Sequence, residues 1–137
     1  MKFEHLSHVG VAVRDMEKAK DFLKKNFEVQ IHHEMVSPEQ KIHFALVSLG
    51  ELKLELMAPV KEEGLIADFI KQKGEGVHHL SFQVENLQSK KAFFEERGFK
   101  TIKPTSEITG VHAIFLHPKS FFGILIELFQ KIGEVKE

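Results

Sequence analysis

The sequence contains the same pattern twice, and this duplication limits the fold more than any other feature. The stretch HVGVAVRDM at 8–16 aligns with HLSFQVENL at 79–87, which begins 71 residues further along the chain. The stretch around Glu55 aligns in the same way with that around Glu127. Order, spacing and residue class agree across most of each half. The 137 residues therefore predict one domain, 1–137, with module one at 4–60, a linking helix at about 62–74 and module two at 76–131.

Each module has the same predicted order of elements, βαβββ. Alternating, β-branched residues at its start predict a strand. Asp15 in module one and Asn86 in module two are suitable caps for the helix that follows, and Gly98 is a suitable end for the second of these helices. The predicted strands of module one are 6–13, 28–35, 41–49 and 52–58, and those of module two are 77–84, 99–103, 111–116 and 122–129. The fold class predicted is α+β.

Composition excludes several classes of function. The chain has 19 Lys+Arg against 20 Asp+Glu, so no basic surplus indicates binding to nucleic acid or to an anionic membrane. No apolar run approaches the roughly 20 residues that cross a bilayer, and the first residues lack the apolar core of a signal peptide. Without cysteine there is no disulfide and no zinc–thiolate site. A cytoplasmic protein with a small-molecule substrate is predicted.

Two histidines and two glutamates occupy equivalent positions in the modules. His8 and His79 lie on the first strands, and Glu55 and Glu127 lie on the last strands. A carboxylate buried without a partner in an apolar strand costs several kcal/mol, and a metal ion compensates that cost. The four side chains therefore predict one divalent metal ion per chain, with Co, Zn, Ni, Mn and Fe all compatible with the donors. The alternative is that each glutamate faces solvent and each histidine is an ordinary packed residue.

The other histidines are weaker candidates. His78 precedes His79 and is expected on the opposite face of its strand. His43 is a minor candidate for the cavity. His117 lies in the turn before the last strand, where it contacts either the substrate or the strand-end backbone. Surface or structural roles are expected for the remaining four, His5, His32, His33 and His112.

Five stretches of the chain resemble the vicinal oxygen chelate (glyoxalase/bleomycin resistance/dioxygenase) superfamily, and within it most resemble the methylmalonyl-CoA epimerase family. They are HVGVAV at 8–13, LELMAP at 54–59, GVHHL at 76–80, FLHPKS at 115–120 and GILIEL at 123–128. The resemblance implies two βαβββ modules that form a cupped mixed sheet around a metal site. It also implies His8, Glu55, His79 and Glu127 as metal ligands, although some relatives have Gln in place of Glu55. Relatives are often dimers, so a homodimer is expected.

The resemblance further implies an isomerase. Such an epimerase removes the proton α to the carbonyl of a 2-substituted acyl-CoA thioester, such as methylmalonyl-CoA, and returns it on the other face. A metal stabilises the enolate that develops, and two bases on opposite faces exchange the proton. Glu127 is the first catalytic base expected by this resemblance, and Glu55 is the candidate across the site.

Three features depart from the epimerase pattern. Phe44 stands where some epimerases have a further carboxylate, and the stretch 108–113 contains a single glycine where the family is often glycine-rich. Phe121 and Phe122 replace residues that are usually small, so that they either close a CoA channel or pack in a dimer surface.

Alternative functions are compatible with the same residues. A glyoxalase I-like lyase performs similar proton chemistry on a glutathione hemithioacetal. An extradiol dioxygenase is less favoured, because a fourth protein ligand would occupy a position that its iron keeps open. A non-catalytic binding protein for a small molecule could share the fold, because fold alone does not decide function.

Overall fold

The computed structural model describes residues 5–104 and 110–133. The chain divides into two compact units, His8–His78 and a second unit whose described residues are 5–7, 79–104 and 110–133. Module one consists of β1 (His5–Ala12), α1 (Met16–Asn26), β2 (Val29–Ser37), β3 (Ile42–Leu49) and β4 (Leu52–Pro59). It is followed by α2 (Leu65–Lys73). Module two consists of β5 (Gly76–Gln83), α3 (Leu87–Glu96), β6 (Thr101–Ile102), β7 (Val111–Leu116) and β8 (Leu125–Lys131). The prediction of an α+β fold with two βαβββ modules is confirmed.

The strands of module one follow the order β2-β3-β4-β1. β3 is antiparallel to β2 and β4, whereas β1 is parallel to β4 and places Gly10 opposite Glu55. The helix α1 begins at Asp15, whose side chain accepts a hydrogen bond from the Lys18 backbone N–H at 3.0 Å. One face of α1 packs on the sheet around a core of Met16, Ala45, Val47, Leu56 and Ala58.

The strands of module two follow the matching order β6-β7-β8-β5. β5 is parallel to β8 and places Ser81 opposite Glu127, and β7 is antiparallel to β8. Asn86 caps α3 by accepting from the Ser89 backbone N–H at 3.0 Å. The core of this module is apolar and consists of Val84, Leu87, Phe94, Ile114, Leu116, Ile126 and Leu128.

The helix α2 packs against the strands of module one. It ends at Gly74, whose φ of 80° suits glycine and whose N–H donates to the Ile70 carbonyl at 2.8 Å. Its residue Ile66 is fully buried with Ala12, Ile42 and Met57, and the partly buried ring of Phe44 packs against this cluster. None of the helices within the described residues is long and apolar enough to span a bilayer.

Most predicted strand limits agree with the structure within two residues, but two strands are shorter than predicted. β8 was predicted to begin at residue 122 and begins at Leu125, because Phe122 lies in a turn. The Gly123 N–H donates to the Pro118 carbonyl at 2.9 Å and the Ile124 N–H to the Phe121 carbonyl at 2.8 Å, which closes that turn. Phe122 has φ 54° and a side chain that is 92% exposed.

β6 has two residues in place of the predicted 99–103, because the backbone of Phe99 is hydrogen-bonded to the end of α3. Its N–H donates to the Phe94 carbonyl at 3.0 Å and completes the end of α3. Gly98, with φ 84°, allows the chain to leave the helix there. The part of the stretch 108–113 that precedes Gly110 lies outside the described residues.

Candidate metal centre

Module one brings two of the predicted ligands together. His8 on β1 and Glu55 on β4 approach with 3.6 Å between Nε2 and Oε2. The parallel pairing explains the approach, because Gly10 is opposite Glu55 and His8 projects from the same strand face as Gly10. Residues two apart on one strand share a face, so this register places the His8 imidazole near the Glu55 carboxylate. The predicted meeting of these two side chains is therefore observed.

The state of His8 suits a metal ligand. Burial lowers the pKa of its imidazole to about 4, so the ring is neutral near pH 7 and a nitrogen lone pair is available. The 3.6 Å separation from Glu55 is longer than a hydrogen bond. Two atoms that each bind an ion at about 2.1 Å lie no more than about 4.2 Å apart. The spacing and the neutral imidazole are thus compatible with two donors to one ion.

Module two has an equivalent arrangement. Its histidine, His79, is 6% exposed and lies two residues before Ser81 on the same face of β5. Glu127 on β8 is opposite Ser81 in the parallel register. Burial raises the pKa of the Glu127 carboxyl, and the hydrogen bond from Ser81 opposes that rise. The strand pairing therefore places an imidazole and a largely buried carboxylate on one face of this module.

Ser81 is a site residue that sequence reasoning missed. Its side chain is fully buried, and Oγ donates to Oε1 of Glu127 at 2.6 Å. The repeat alignment contained the signal, because Ser81 is the counterpart of Gly10, two residues after the histidine in each module. Module two has a serine where module one has a glycine, so the two modules differ by one hydroxyl beside a predicted ligand.

The neighbouring histidines are separate from these ligand pairs. The ring of His78 meets Phe69 of α2 edge-on, with centroids 4.9 Å apart, and burial together with the charge of Lys73 lowers its pKa to about 4. His43, the minor cavity candidate, is paired with Glu34 through Nε2 and Oε2 at 2.6 Å.

The other histidines have local partners or exposed positions. His117 accepts from the Lys119 backbone N–H at 3.0 Å through Nδ1, so the predicted backbone contact is the one observed. His32 lies 2.5 Å from the Ser48 hydroxyl. The side chains of His5, His33 and His112 are exposed.

Comparison with known proteins agrees with this architecture. The family model for the glyoxalase/bleomycin resistance protein/dioxygenase superfamily matches residues 7–115, and the chain therefore belongs to this superfamily. A solved structure of methylmalonyl-CoA epimerase from Mycobacterium tuberculosis superposes with a TM-score of 0.82 and 29% identity, covering 96% of this chain and 91% of that one.

Two curated relatives carry related names. A mitochondrial methylmalonyl-CoA epimerase of Homo sapiens is 35% identical over 129 residues, which are 91% of this chain and 73% of that protein. An ethylmalonyl-CoA/methylmalonyl-CoA epimerase of Cereibacter sphaeroides is 30% identical over 129 residues, covering 91% of this chain and 96% of the relative. The predicted resemblance to the superfamily, and to its epimerases, is confirmed.

Proposed function

We propose that the chain is a metal-dependent epimerase of 2-substituted acyl-CoA thioesters such as methylmalonyl-CoA. The observation that carries the proposal is the Glu127 carboxylate, partly buried on β8 and hydrogen-bonded to Ser81 on the strand that also bears His79. Relatives at 30–35% identity over most of the chain are named as epimerases of such thioesters. A buried carboxylate with a fixed orientation is the kind of group that abstracts a carbon-bound proton.

The proposed ligands of the metal are His8, Glu55, His79 and Glu127. Metal dependence is a property of the family, and the two nitrogen and two oxygen donors suit Co, Zn, Ni or Mn. The ligand set is supported by the neutral imidazole of His8 beside the Glu55 carboxylate and by the matching strand positions of His79 and Glu127. When bound, the ion supplies positive charge beside the thioester carbonyl, which stabilises negative charge on that oxygen.

The chain's own groups then move the proton. In the proposal, an oxygen of the Glu127 carboxylate takes the proton from the α-carbon on one face of the substrate. Glu55 is the candidate for the second base, on the opposite face. For this step Glu55 starts as the carboxylic acid, and its proton goes to the α-carbon to give the other epimer. Exchange with solvent then removes the proton from Glu127 and returns one to Glu55, with no redox change. Burial of Glu127 favours this role, because a desolvated carboxylate is a stronger base.

The main alternatives to this proposal differ in the molecule that the site binds. Phe121 and Phe122, in edge-to-face contact at 5.2 Å between ring centroids, stand on the turn that leads into β8. Bulky exposed rings at this turn disfavour a substrate with the large CoA group, so a glutathione hemithioacetal is the second candidate substrate. A non-catalytic binding protein is the third reading. A homodimer that covers these rings, a cytoplasmic location and the lack of a nucleic-acid or membrane partner remain predictions from the sequence.

Solvent exchange at the α-carbon tests the proposal. Metal-loaded protein is incubated in D₂O with single epimers of methylmalonyl-CoA, and deuterium incorporation and epimer ratio are followed together. The wild type is expected to incorporate deuterium and to equalise the epimers. Glu127→Gln keeps the shape and one oxygen donor but loses the base, so both rates should fall by about 100-fold or more with metal still bound.

Glu34→Gln is the matched control for Glu127→Gln. It makes the same change at a carboxylate whose partners are Lys20 and His43, neither of which is a proposed ligand, and it should exchange like the wild type. Exchange retained in Glu127→Gln would move the base elsewhere, with Glu55→Gln the next variant to measure. Turnover of a hemithioacetal without thioester exchange would replace the epimerase with a glyoxalase. Tight binding of an unreacted molecule alone would indicate a binding protein.

A further inference from the structure

Ser81 of β5 and Glu127 of β8 form a short polar contact between neighbouring strands. The hydroxyl is fully buried, and the distance from Oγ to Oε1 is 2.6 Å. That distance lies in the range of hydrogen bonds from a hydroxyl to an ionised carboxylate, which are stronger than neutral ones. A serine hydroxyl has one proton to donate. The contact thus commits that proton to one oxygen of Glu127.

At the equivalent place in module one the facing residue is a glycine, which has no side-chain donor. Gly10 stands opposite Glu55 in the same parallel register in which Ser81 stands opposite Glu127. The Glu55 side chain is 26% exposed and approaches His8, whereas burial of Glu127 is strong enough to raise the pKa of its carboxyl. The duplication has therefore kept the carboxylates and changed the group beside them. The hydrogen bond distinguishes Oε1 from Oε2 in Glu127 and fixes the plane of this carboxylate, a constraint that glycine does not give Glu55.

We infer that Ser81 is a positioning residue for Glu127, acting both on the binding of the metal and on the transfer of the proton. By holding Oε1, the hydroxyl fixes the direction in which the carboxylate presents its oxygens to the ion and to the α-carbon. This inference rests on the proposed function for its catalytic part only. Groups that hold a metal ligand from behind typically change metal affinity or activity by about 10- to 100-fold when they are removed.

The experiment compares Ser81→Ala and Ser81→Cys with the wild type. Alanine removes the donor, and cysteine nearly keeps the volume with a weaker donor. Metal affinity is measured by competition with a chromophoric chelator, using Co or Zn alone. It should fall about 10-fold or more in Ser81→Ala and less in Ser81→Cys. With metal at saturation, kcat for thioester epimerisation should fall by about 10-fold, while KM stays within about twofold.

Ser48→Ala is the matched control. Ser48 is also a strand serine with a hydroxyl in a hydrogen bond, but its partner is His32 of β2. This variant should retain the metal affinity and kcat of the wild type. Melting curves of all variants separate loss of positioning from loss of folding, since a purely structural serine would lower the melting temperature and leave metal affinity and kcat unchanged.

The outcomes distinguish this inference from the proposed function. Wild-type metal affinity and kcat in Ser81→Ala would overturn the role of Ser81, whatever the enzyme does. A wild type that exchanges no thioester proton would overturn the epimerase, and the chelator competition would still show whether Ser81 positions Glu127. A fall in melting temperature alone would make Ser81 a core residue and overturn the inference.

Discussion

The two modules share a framework and differ in what surrounds it. In both, the first strand is parallel to the last, with a histidine two residues before the position that faces the glutamate. All three side chains are partly buried, but Glu55 approaches His8 whereas Glu127 is hydrogen-bonded to Ser81. Duplication has preserved the donor atoms and allowed their neighbours to diverge. The difference shows that the two carboxylates, although equivalent in position, have different surroundings.

The ion pairs of the helices α1 and α3 differ between the two modules. In module one, Lys20 of α1 is nearly buried and its Nζ lies 2.8 Å from Glu34 of β2 and 3.0 Å from Glu17. At the matching place in module two, Lys91 pairs with Glu95 along α3 itself, at 3.4 Å. The attachment of α3 is apolar and centred on Phe94. Module one therefore has an ion pair between helix and strand in addition to its apolar core, whereas the ion pair at the matching place in module two lies within the helix.

Loss of either histidine of the proposed metal site is the largest effect expected. His8→Ala and His79→Ala should each weaken Co or Zn binding by at least about 100-fold, because each removes one of the four proposed ligands. Chelator competition measures the effect. His78→Ala should keep the affinity of the wild type, although it removes a buried ring from Phe69 and lowers the melting temperature. A greater loss from His78 than from His79 would contradict the assignment of strand faces.

Removal of the metal should destabilise the fold to an intermediate degree. An ion present at 100 times its dissociation constant stabilises the folded state by about 2.7 kcal/mol, which corresponds to roughly 10 °C in melting temperature for a chain of this size. Without it, the buried Glu127 carboxylate loses a favourable partner. Calorimetry with and without a chelator measures the shift. An unchanged melting temperature after verified removal of the metal would contradict the proposed metal site.

The smallest effect concerns the ion pairs of module one. The pKa of Glu34 is lowered, first by its hydrogen bond from Lys20 and also by that from His43. A lowered pKa gives stability that is present above the unfolded value of about 4.5 and is lost as pH falls through the folded value. Glu34→Gln should therefore cost about 1 kcal/mol at pH 7 and progressively less below pH 4.5. Urea unfolding at several pH values tests this, with Glu95→Gln as the control in module two.

The repeated sequence was sufficient for the fold, whereas the set of four metal ligands is still a prediction. The alignment of His8 with His79 placed both on equivalent strands, and the alternating pattern gave most strand limits within two residues. The start of β8 was wrong because Phe122 has a high strand propensity, whereas turn hydrogen bonds from Gly123 and Ile124 determine its conformation. Strand propensity is local, and a turn closed by backbone hydrogen bonds overrides it.

The different surroundings of the two glutamates could not be predicted from the residues next to them in the sequence. Glu55 and Glu127 lie in similarly apolar stretches of sequence, and their difference arises from the neighbouring strand, where Gly10 and Ser81 stand. Pairing across 45 or 46 residues is a tertiary property, set by register rather than by propensity. The repeat alignment contained this difference, but its meaning required knowing which strand pairs with which.

The parallel register within each module also has a consequence for biosynthesis. Gly10 pairs with Glu55, so the first and last strands of module one can pair without any residue beyond β4. Domains generally fold from the N-terminus as the chain is made. The His8–Glu55 pair can thus form while Glu127 of β8 is still to be translated. A nascent chain on the ribosome would then present two of the proposed donors to cellular metal ions before the last strand exists.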